Sequence, residues 1–383
     1  MNEPKRTKKL SLKFRAALLC ALFCGAIALG ALAALFVPDR EFSENENRYL
    51  ASFPEFSKTA LLSGQFLKDF ETYMTDQFPL RDGWVSLKAE ATKLSGKLEN
   101  NGVFFGKGGT LLSRFDAPDE ARLEKNLAAL TALIQNTELP VSVLAVPSST
   151  LVYADRLPAG AWTYDEQTIL DRIEAAAAGA VFVSGADVLL PHSGEYVYYR
   201  TDHHWTTLGA AYALEALRQA QGKEPPGLSA YERTTVSTEF LGTLFSKNQL
   251  WNQKKDSIER FDRGGSFTLT IADDGSTADS LYFPEFLEKK DKYSYFLGGN
   301  HAKVTIKNND PAAAGKLLIL KDSFAHCFAP LLARDYAEVE LIDLRYFNVK
   351  LSSYMAENGF DEVLVLYSTE TFCTDVNVLK LGK

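Results

Sequence analysis

The chain has 383 residues, 46% of them apolar and 23% charged, and a formal net charge of −8. That length suits one large domain or two modest ones, and the composition excludes disorder, collagen, coiled coil and low-complexity architecture over most of it. An acidic balance whose N-terminal cations cluster at Lys5, Arg6, Lys8, Lys9, Lys13 and Arg15 argues against nucleic acid as a partner, because binding it requires a basic face.

From Ala16 to Val37 the chain runs 22 residues without a charge, which at helical rise is enough to cross a bilayer. With the basic cluster before it, the positive-inside rule keeps residues 1–15 in the cytoplasm, makes 16–37 an anchor and places everything after Pro38 outside. A cleaved signal peptide competes, with Ala31-Leu32-Ala33 as a small-residue cleavage site. Either reading exports the rest of the chain, giving a single-pass protein of the cell membrane with an extracytoplasmic domain. Cys20 and Cys24 lie inside the apolar stretch and read as small membrane residues. Only Cys327 and Cys373 remain, too few for a disulfide-built scaffold. Free thiols are preferred, and a single disulfide between them stays open.

Residues 38–115 read as a linker and an N-terminal extension: the polar stretch Glu41–Tyr49, two helices over Phe66–Lys93 interrupted near Pro79, and a hairpin from Val103–Gly106 and Thr110–Leu112. From 116 to 383, helical patterns near 121–135 and 166–178 alternate with apolar runs at Val141–Val146 and Val181–Val183. The rhythm resumes with runs at Leu317–Leu320, Val339–Ile342 and Val363–Tyr367, and helices near 324–333 and 346–358. Such alternation predicts an α/β domain with a parallel sheet flanked by helices. The stretch from about 222 to 315, rich in aromatic, glycine and charged residues, breaks the rhythm and reads as an insertion.

Two segments carry chemistry. The apolar run beginning at Lys316 ends in Asp322-Ser323 before a helix, so the Ser323 hydroxyl stands at the carboxyl edge of the sheet, where α/β folds bind ligands. Free N–H groups at the start of that helix suit an oxyanion. A helix N-cap is the plainer role for this serine. In Thr201-Asp202-His203-His204-Trp205-Thr206, Asp202 and His204 are two apart and in an extended segment share a side. A carboxylate there fixes an imidazole's tautomer and supplies the base that Ser323 lacks. Two alternatives stay open: Asp202 as a cap for the helix starting near Thr206, and a metal site on Asp202, His203 and His204. The second needs further ligands, from His192, His301 or His326, which show no zinc spacing. No metal and no cofactor are expected.

The DHHW segment at 202–205, preceded by Tyr198-Tyr199-Arg200-Thr201, together with KDSFA at 321–325 and DLRYF at 343–347, resembles the DHHW proteins, which are similar to the alginate O-acetyltransferases. The resemblance extends upstream to Ser43–Leu50, Asp76–Arg81, Gly102–Gly109 and Pro147. It implies an SGNH-hydrolase-like fold with circularly permuted motifs, Asp202 and His204 coming first and the nucleophile Ser323 last. Lys321 stands where a glycine often precedes Asp-Ser in such hydrolases. No clear oxyanion-hole asparagine block is present, and Gly298-Gly299-Asn300 is the best candidate. Asn300, Gly299, Trp205 and Arg200 are the further oxyanion or substrate residues expected. The resemblance implies acyl transfer, with an acetyl group moved to or from a cell-envelope or exported polysaccharide. A membrane-bound O-acyltransferase would be the partner that passes the acyl group outward. With water as acceptor the same site would be an esterase. A non-catalytic glycan-binding or envelope-assembly protein on this scaffold is the other class, with Trp251, Tyr282, Phe283, Tyr293, Tyr295 and Phe296 stacking on sugars or packing a core.

Overall fold

The computed structural model describes residues 11–383, without the side chain of Leu35, so the cationic residues Lys5 to Lys9 lie outside the described residues. The chain divides into two compact units, residues 1–88 and 89–383.

In the first unit, α1 (Leu12–Phe36) follows a Ser11 N-cap and contains a stretch, Leu12–Ala34, long and apolar enough to cross a membrane. It starts four residues earlier than the uncharged run because Lys13 and Arg15 fit its first turn. A two-stranded ribbon, β1 (Phe42–Ser43) with β2 (Arg48–Tyr49), precedes α2 (Lys58–Leu62) and α3 (Gln65–Asp76), while α4 (Arg81–Leu94) begins here. Two of the motif segments meet in this unit. The Arg48 guanidinium donates to both oxygens of buried Asp76 at 2.8 and 2.5 Å, and Arg81 lies 2.9 Å from Glu46.

The second unit opens with an antiparallel sheet of β3 (Glu99–Asn100), β4 (Val103–Phe105) and β5 (Leu111–Ser113). After α5 (Glu120–Asn136) come β6 (Val141–Val146), α6 (Ser149–Val152), α7 (Gln167–Ala176), β7 (Val181–Ser184), α8 (Gly185–Leu189) and α9 (Thr207–Ala220). A long antiparallel pair, β8 (Glu232–Phe240) and β9 (Asp256–Asp262), encloses α10 (Thr243–Asn248). Then follow β10 (Phe267–Ile271), β11 (Thr277–Ala278), β12 (Lys303–Asn308), β13 (Lys316–Lys321), α11 (Ala325–Leu332), β14 (Glu338–Ile342), α12 (Leu351–Asn358), β15 (Glu362–Ser368) and α13 (Thr369–Thr374).

The main sheet runs β11-β10-β12-β14-β13-β15-β6-β7, and the five strands from β14 to β7 are parallel. Helices on both faces explain why its central strands are unbroken apolar runs rather than alternating ones. Alternate residues serve opposite cores: Leu317, Ile319, Leu364 and Leu366 pack with α9 and α11, whereas Leu318, Leu320, Val363 and Val365 pack with α5, α7 and α12. Residues 222–315 supply β10 to β12, which continue this sheet antiparallel on the β14 side. The sheet is therefore mixed, with a parallel heart that holds the SGNH-hydrolase-like arrangement.

Candidate active site

β13 ends at Lys321, and Asp322 and Ser323 form the turn into α11. The backbone is pinned by Asp322: Oδ1 accepts from the Phe324 N–H at 3.0 Å, and Oδ2 accepts from the Ser368 N–H and hydroxyl, both at 2.8 Å. The aspartate thus ties the turn to the end of β15 and leaves the Ser323 hydroxyl free to face the DHHW segment. Ser323 is not a cap, since the α11 N-cap position is Phe324. Nor is Asp202, because Thr206 caps α9 by accepting from the Gly209 N–H.

Across the sheet edge, His204 Nε2 lies 2.7 Å from Ser323 Oγ and His204 Nδ1 lies 2.6 Å from Asp202 Oδ1. Asp202 and His204 are buried, yet the row is open enough at Ser323 for the hydroxyl to be half-buried. Burial alone would raise the Asp202 carboxyl, but the two adjacent imidazoles and its hydrogen bonds outweigh that and hold it well below the usual carboxylate range. An anionic Asp202 keeps the proton on His204 Nδ1 and leaves Nε2 as the lone pair facing the serine. That arrangement is the one general-base activation of a hydroxyl requires.

Several residues that support this row have no signal in the sequence. The second Asp202 oxygen accepts from the Thr243 N–H at 2.8 Å and the Thr243 hydroxyl at 3.0 Å, at the start of α10. The preceding Gly242 lies so close that a Cβ there would meet Asp202 Cβ and Oδ2 at 2.3 Å. Buried Asp256, on β9, accepts from the Arg200 and Thr201 N–H groups at 2.8 Å and from the Thr201 and Tyr196 hydroxyls at 2.5 Å. It holds the backbone entering Asp202 like a buckle. These partners sit 40 or more residues from the motif they hold, in the region whose pattern breaks the βα rhythm, so only the spacing of the folded chain reveals them.

The remaining predicted residues fall around the row rather than in it. Trp205, fully buried, donates from Nε1 to the Phe324 carbonyl at 3.0 Å and so links the two motifs. Arg200 lies over the Tyr196 ring and 3.5 Å from Asp256. Asn300 is exposed and accepts through Oδ1 from Arg345 Nη2 at 3.1 Å, while Gly299 is buried against Ser294. Among the described residues no hydrogen bond joins Asn300 or Gly299 to Ser323 or His204. Tyr293 packs beneath the base, its ring 3.9 Å from the His204 ring, and its hydroxyl reaches the Ser323 carbonyl at 3.3 Å. Of the insertion aromatics, Tyr293, Tyr295 and Phe296 are core residues, whereas Trp251 is 58% exposed. Cys327 and Cys373 are both buried free thiols.

Lys321 is also buried, its ammonium 2.9 Å from His326 Nε2 and 3.2 Å from Asp343 Oδ2. Burial lowers its pKa against the pull of Asp343, and burial together with that ammonium pushes His326 well below the usual histidine range. Asp343 in turn takes two bonds from the Arg345 guanidinium, at 2.9 and 2.6 Å, so the 343–347 motif is bolted to the strand that carries the serine.

Residues 177–342 match the family model described as "DHHW protein". Both the histidine-bearing and the serine-bearing motifs lie inside that match. The chain is 31% identical over 195 residues to the probable alginate O-acetylase AlgJ of Pseudomonas syringae pv. tomato, an alignment covering 46% of this chain. It spans about half the length of the alginate O-acetylases it matches, 49% in that case. Among solved structures, a DHHW family protein from Eubacterium siraeum superposes with a TM-score of 0.64 at 24% identity, covering 74% of this chain and 96% of that one. Bacillus cereus PatB1 superposes with a TM-score of 0.60 at 22% identity, covering 70% and 97%. These two likenesses show the fold. The mixed sheet with a parallel heart between helices is therefore an architecture shared with these two structures.

Proposed function

We propose that this chain is an extracytoplasmic O-acyltransferase that moves an acetyl group to or from a cell-envelope or exported polysaccharide through an acyl-enzyme on Ser323. The observation that carries this reading is the continuous row Asp202–His204–Ser323, with the base 2.7 Å from the hydroxyl. In the first half-reaction His204 Nε2 takes the Ser323 proton as Oγ bonds to the acyl carbon, and the donor's oxygen leaves with that proton. In the second, an acceptor hydroxyl attacks the ester, His204 takes its proton, and the proton passes to Ser323 Oγ as the ester bond breaks. Asp202 stabilises the imidazolium in both. The likeness to the probable alginate O-acetylase AlgJ of Pseudomonas supports acetyl as the group and a polysaccharide as the acceptor.

In the same reading residues 1–15 are cytoplasmic, 16–37 an anchor, 38–115 a linker and extension, and 116–383 the catalytic domain with its insertion at about 222–315. A domain held outside would need its acyl group handed across, for which a membrane-bound O-acyltransferase is the fitting partner. With water as acceptor the protein is an acetyl esterase.

The test is labelling by phenylmethylsulfonyl fluoride, read by mass spectrometry of the Ser323 peptide. Modification that disappears in Ser323→Ala and falls sharply in His204→Ala is expected. A folded protein that never labels at Ser323 and never releases acetate from acetyl esters would end the reading and leave a glycan-binding role for the scaffold.

A further inference from the structure

The DHHW segment contains two imidazoles, and only one of them faces the serine. His203 Nδ1 lies 2.7 Å from Thr243 Oγ1, and the Thr243 hydroxyl itself donates to Asp202 Oδ2. A carboxylate held anionic only accepts, so the single hydroxyl proton of Thr243 is committed to it. Thr243 Oγ1 then has only lone pairs to offer His203, and the proton between them belongs to Nδ1. Burial of most of its ring lowers His203 below the usual histidine range against the pull of Asp202, so the ring is neutral and Nε2 is a lone pair. Among the described residues this Nε2 has no hydrogen-bond partner.

Both histidines are thus set in one tautomer by one carboxylate, His204 through Oδ1 directly and His203 through Oδ2 by way of Thr243. Their rings lie 3.9 Å apart at 37°, and the Nδ1 of each is turned toward Asp202, that of His203 standing 3.7 Å from Oδ1. With each Nδ1 facing Asp202, each Nε2 lies on the edge of its ring away from the carboxylate. One meets Ser323. His203 itself borders a narrow cleft that it shares with Phe324, Glu370 and the hydroxyl residues Ser113, Ser148, Ser149, Ser368 and Thr369.

We propose that the paired Nε2 lone pairs of His203 and His204 bind a vicinal diol, so that the acceptor is a sugar or polyol presenting two adjacent hydroxyls rather than an isolated alcohol. The proposal rests on the acyl-enzyme reading and names its acceptor. In the acylated enzyme the Ser323 oxygen carries the acetyl group and no longer donates to His204. The attacking hydroxyl then donates to His204 Nε2, while its neighbour on the ring donates to His203 Nε2. As the oxygen bonds to the acyl carbon, its proton moves to His204 and thence to Ser323 Oγ when the old ester breaks. The His203 hydrogen bond persists unchanged through the step and fixes which hydroxyl attacks.

The experiment uses p-nitrophenyl acetate to load the full-length enzyme, with trans-1,2-cyclohexanediol and cyclohexanol as competing acceptors. The p-nitrophenol burst reports acylation, and acetylated product reports transfer. Wild-type enzyme should transfer to the diol roughly tenfold faster than to cyclohexanol, the worth of one well-placed hydrogen bond. His203→Phe keeps an aromatic ring against His204 and Phe324 but removes the lone pair. It should erase the preference, lowering diol transfer about tenfold more than it lowers the burst. His203→Gln, whose side-chain carbonyl reaches the place of Nε2, should recover part of the preference, and it is read alone if the Phe variant does not fold. Equal wild-type rates on the two acceptors, an undiminished preference in His203→Phe, or burst and transfer falling together would overturn the proposal. A wild-type enzyme without any Ser323-dependent burst would instead overturn the acyl-enzyme on which it rests.

Discussion

Replacing Gly242 by alanine tests whether the position of Asp202, rather than its mere presence, matters. Gly242 has φ −87° and ψ −159°, extended backbone that alanine adopts without strain, so its backbone conformation gives no reason for a glycine. The reason is its neighbour: a Cβ would lie 2.3 Å from Asp202 Oδ2, more than 1 Å inside ordinary contact. Either Asp202 shifts, stretching its 2.6 Å bond to His204, or α10 withdraws and breaks the 2.8 Å bond from the Thr243 N–H. A displacement of that size at a reacting group costs on the order of 100-fold in rate. The overpacking itself costs about 1–3 kcal/mol of stability. Turnover of p-nitrophenyl acetate and thermal unfolding should be measured for Gly242→Ala, Asp202→Gly and the double variant. In the Asp202→Gly background the added methyl no longer meets the Cβ, Cγ and Oδ2 atoms that it would otherwise strike, so the second substitution should cost little further activity. A Gly242→Ala enzyme within threefold of wild type, folded and with wild-type stability, would refute the claim that this contact sets the geometry of the base.

Ser323→Ala and His204→Ala should each remove most turnover, and combining them should cost scarcely more than either, because members of one proton-transfer row are not additive; an additive double variant would show that they act separately. Tyr293→Leu should lower turnover more than it lowers stability, since the ring underlies His204 at 3.9 Å, and Tyr293→Phe, which keeps the stack and loses only the hydroxyl, should lie closer to wild type. His326 gives the chain an acid sensitivity whose sign follows from its lowered pKa. The unfolded chain protonates this histidine below about 6.5 while the fold resists a second cation beside Lys321, so stability falls as the pH drops below that value, by at most about 1.4 kcal/mol per unit. His326→Gln should flatten that part of the stability curve in urea melts between pH 7 and 4, and an unchanged slope would count against a neutral buried imidazole.

The parallel heart of the fold was legible because its strands are buried on both faces and announce themselves as continuous apolar runs. Val141–Val146, Leu317–Leu320 and Val363–Tyr367 lie within β6, β13 and β15. One helix was placed early: a helix near 346 was expected, but α12 begins at Leu351. The residues before it are drawn into a turn by Asp343, which accepts from the Arg345 N–H and, through its carbonyl, from Tyr346. Residues 222–315 broke the rhythm for a physical reason. Strands such as β12 bury only alternate residues, and their partners are antiparallel and distant. Ser323, His204 and Asp202 were readable because each lies in a local motif. Gly242, Thr243 and Asp256 were not, since nothing in their own neighbourhoods distinguishes them from ordinary turn and strand residues.

The anchoring of Asp322 to Ser368 has a consequence for the order in which the chain is made. A ribosome that has completed the histidine segment and the serine has still not made the site, because the turn bearing Ser323 is held by a strand that emerges about forty residues later. Until β15 slots between β13 and β6, Ser323 has no fixed address and the central sheet has a gap at its middle. A nascent or truncated chain ending before Glu362 would therefore contain Asp202, His204 and Ser323 and yet lack the contacts that hold the serine in line with the other two.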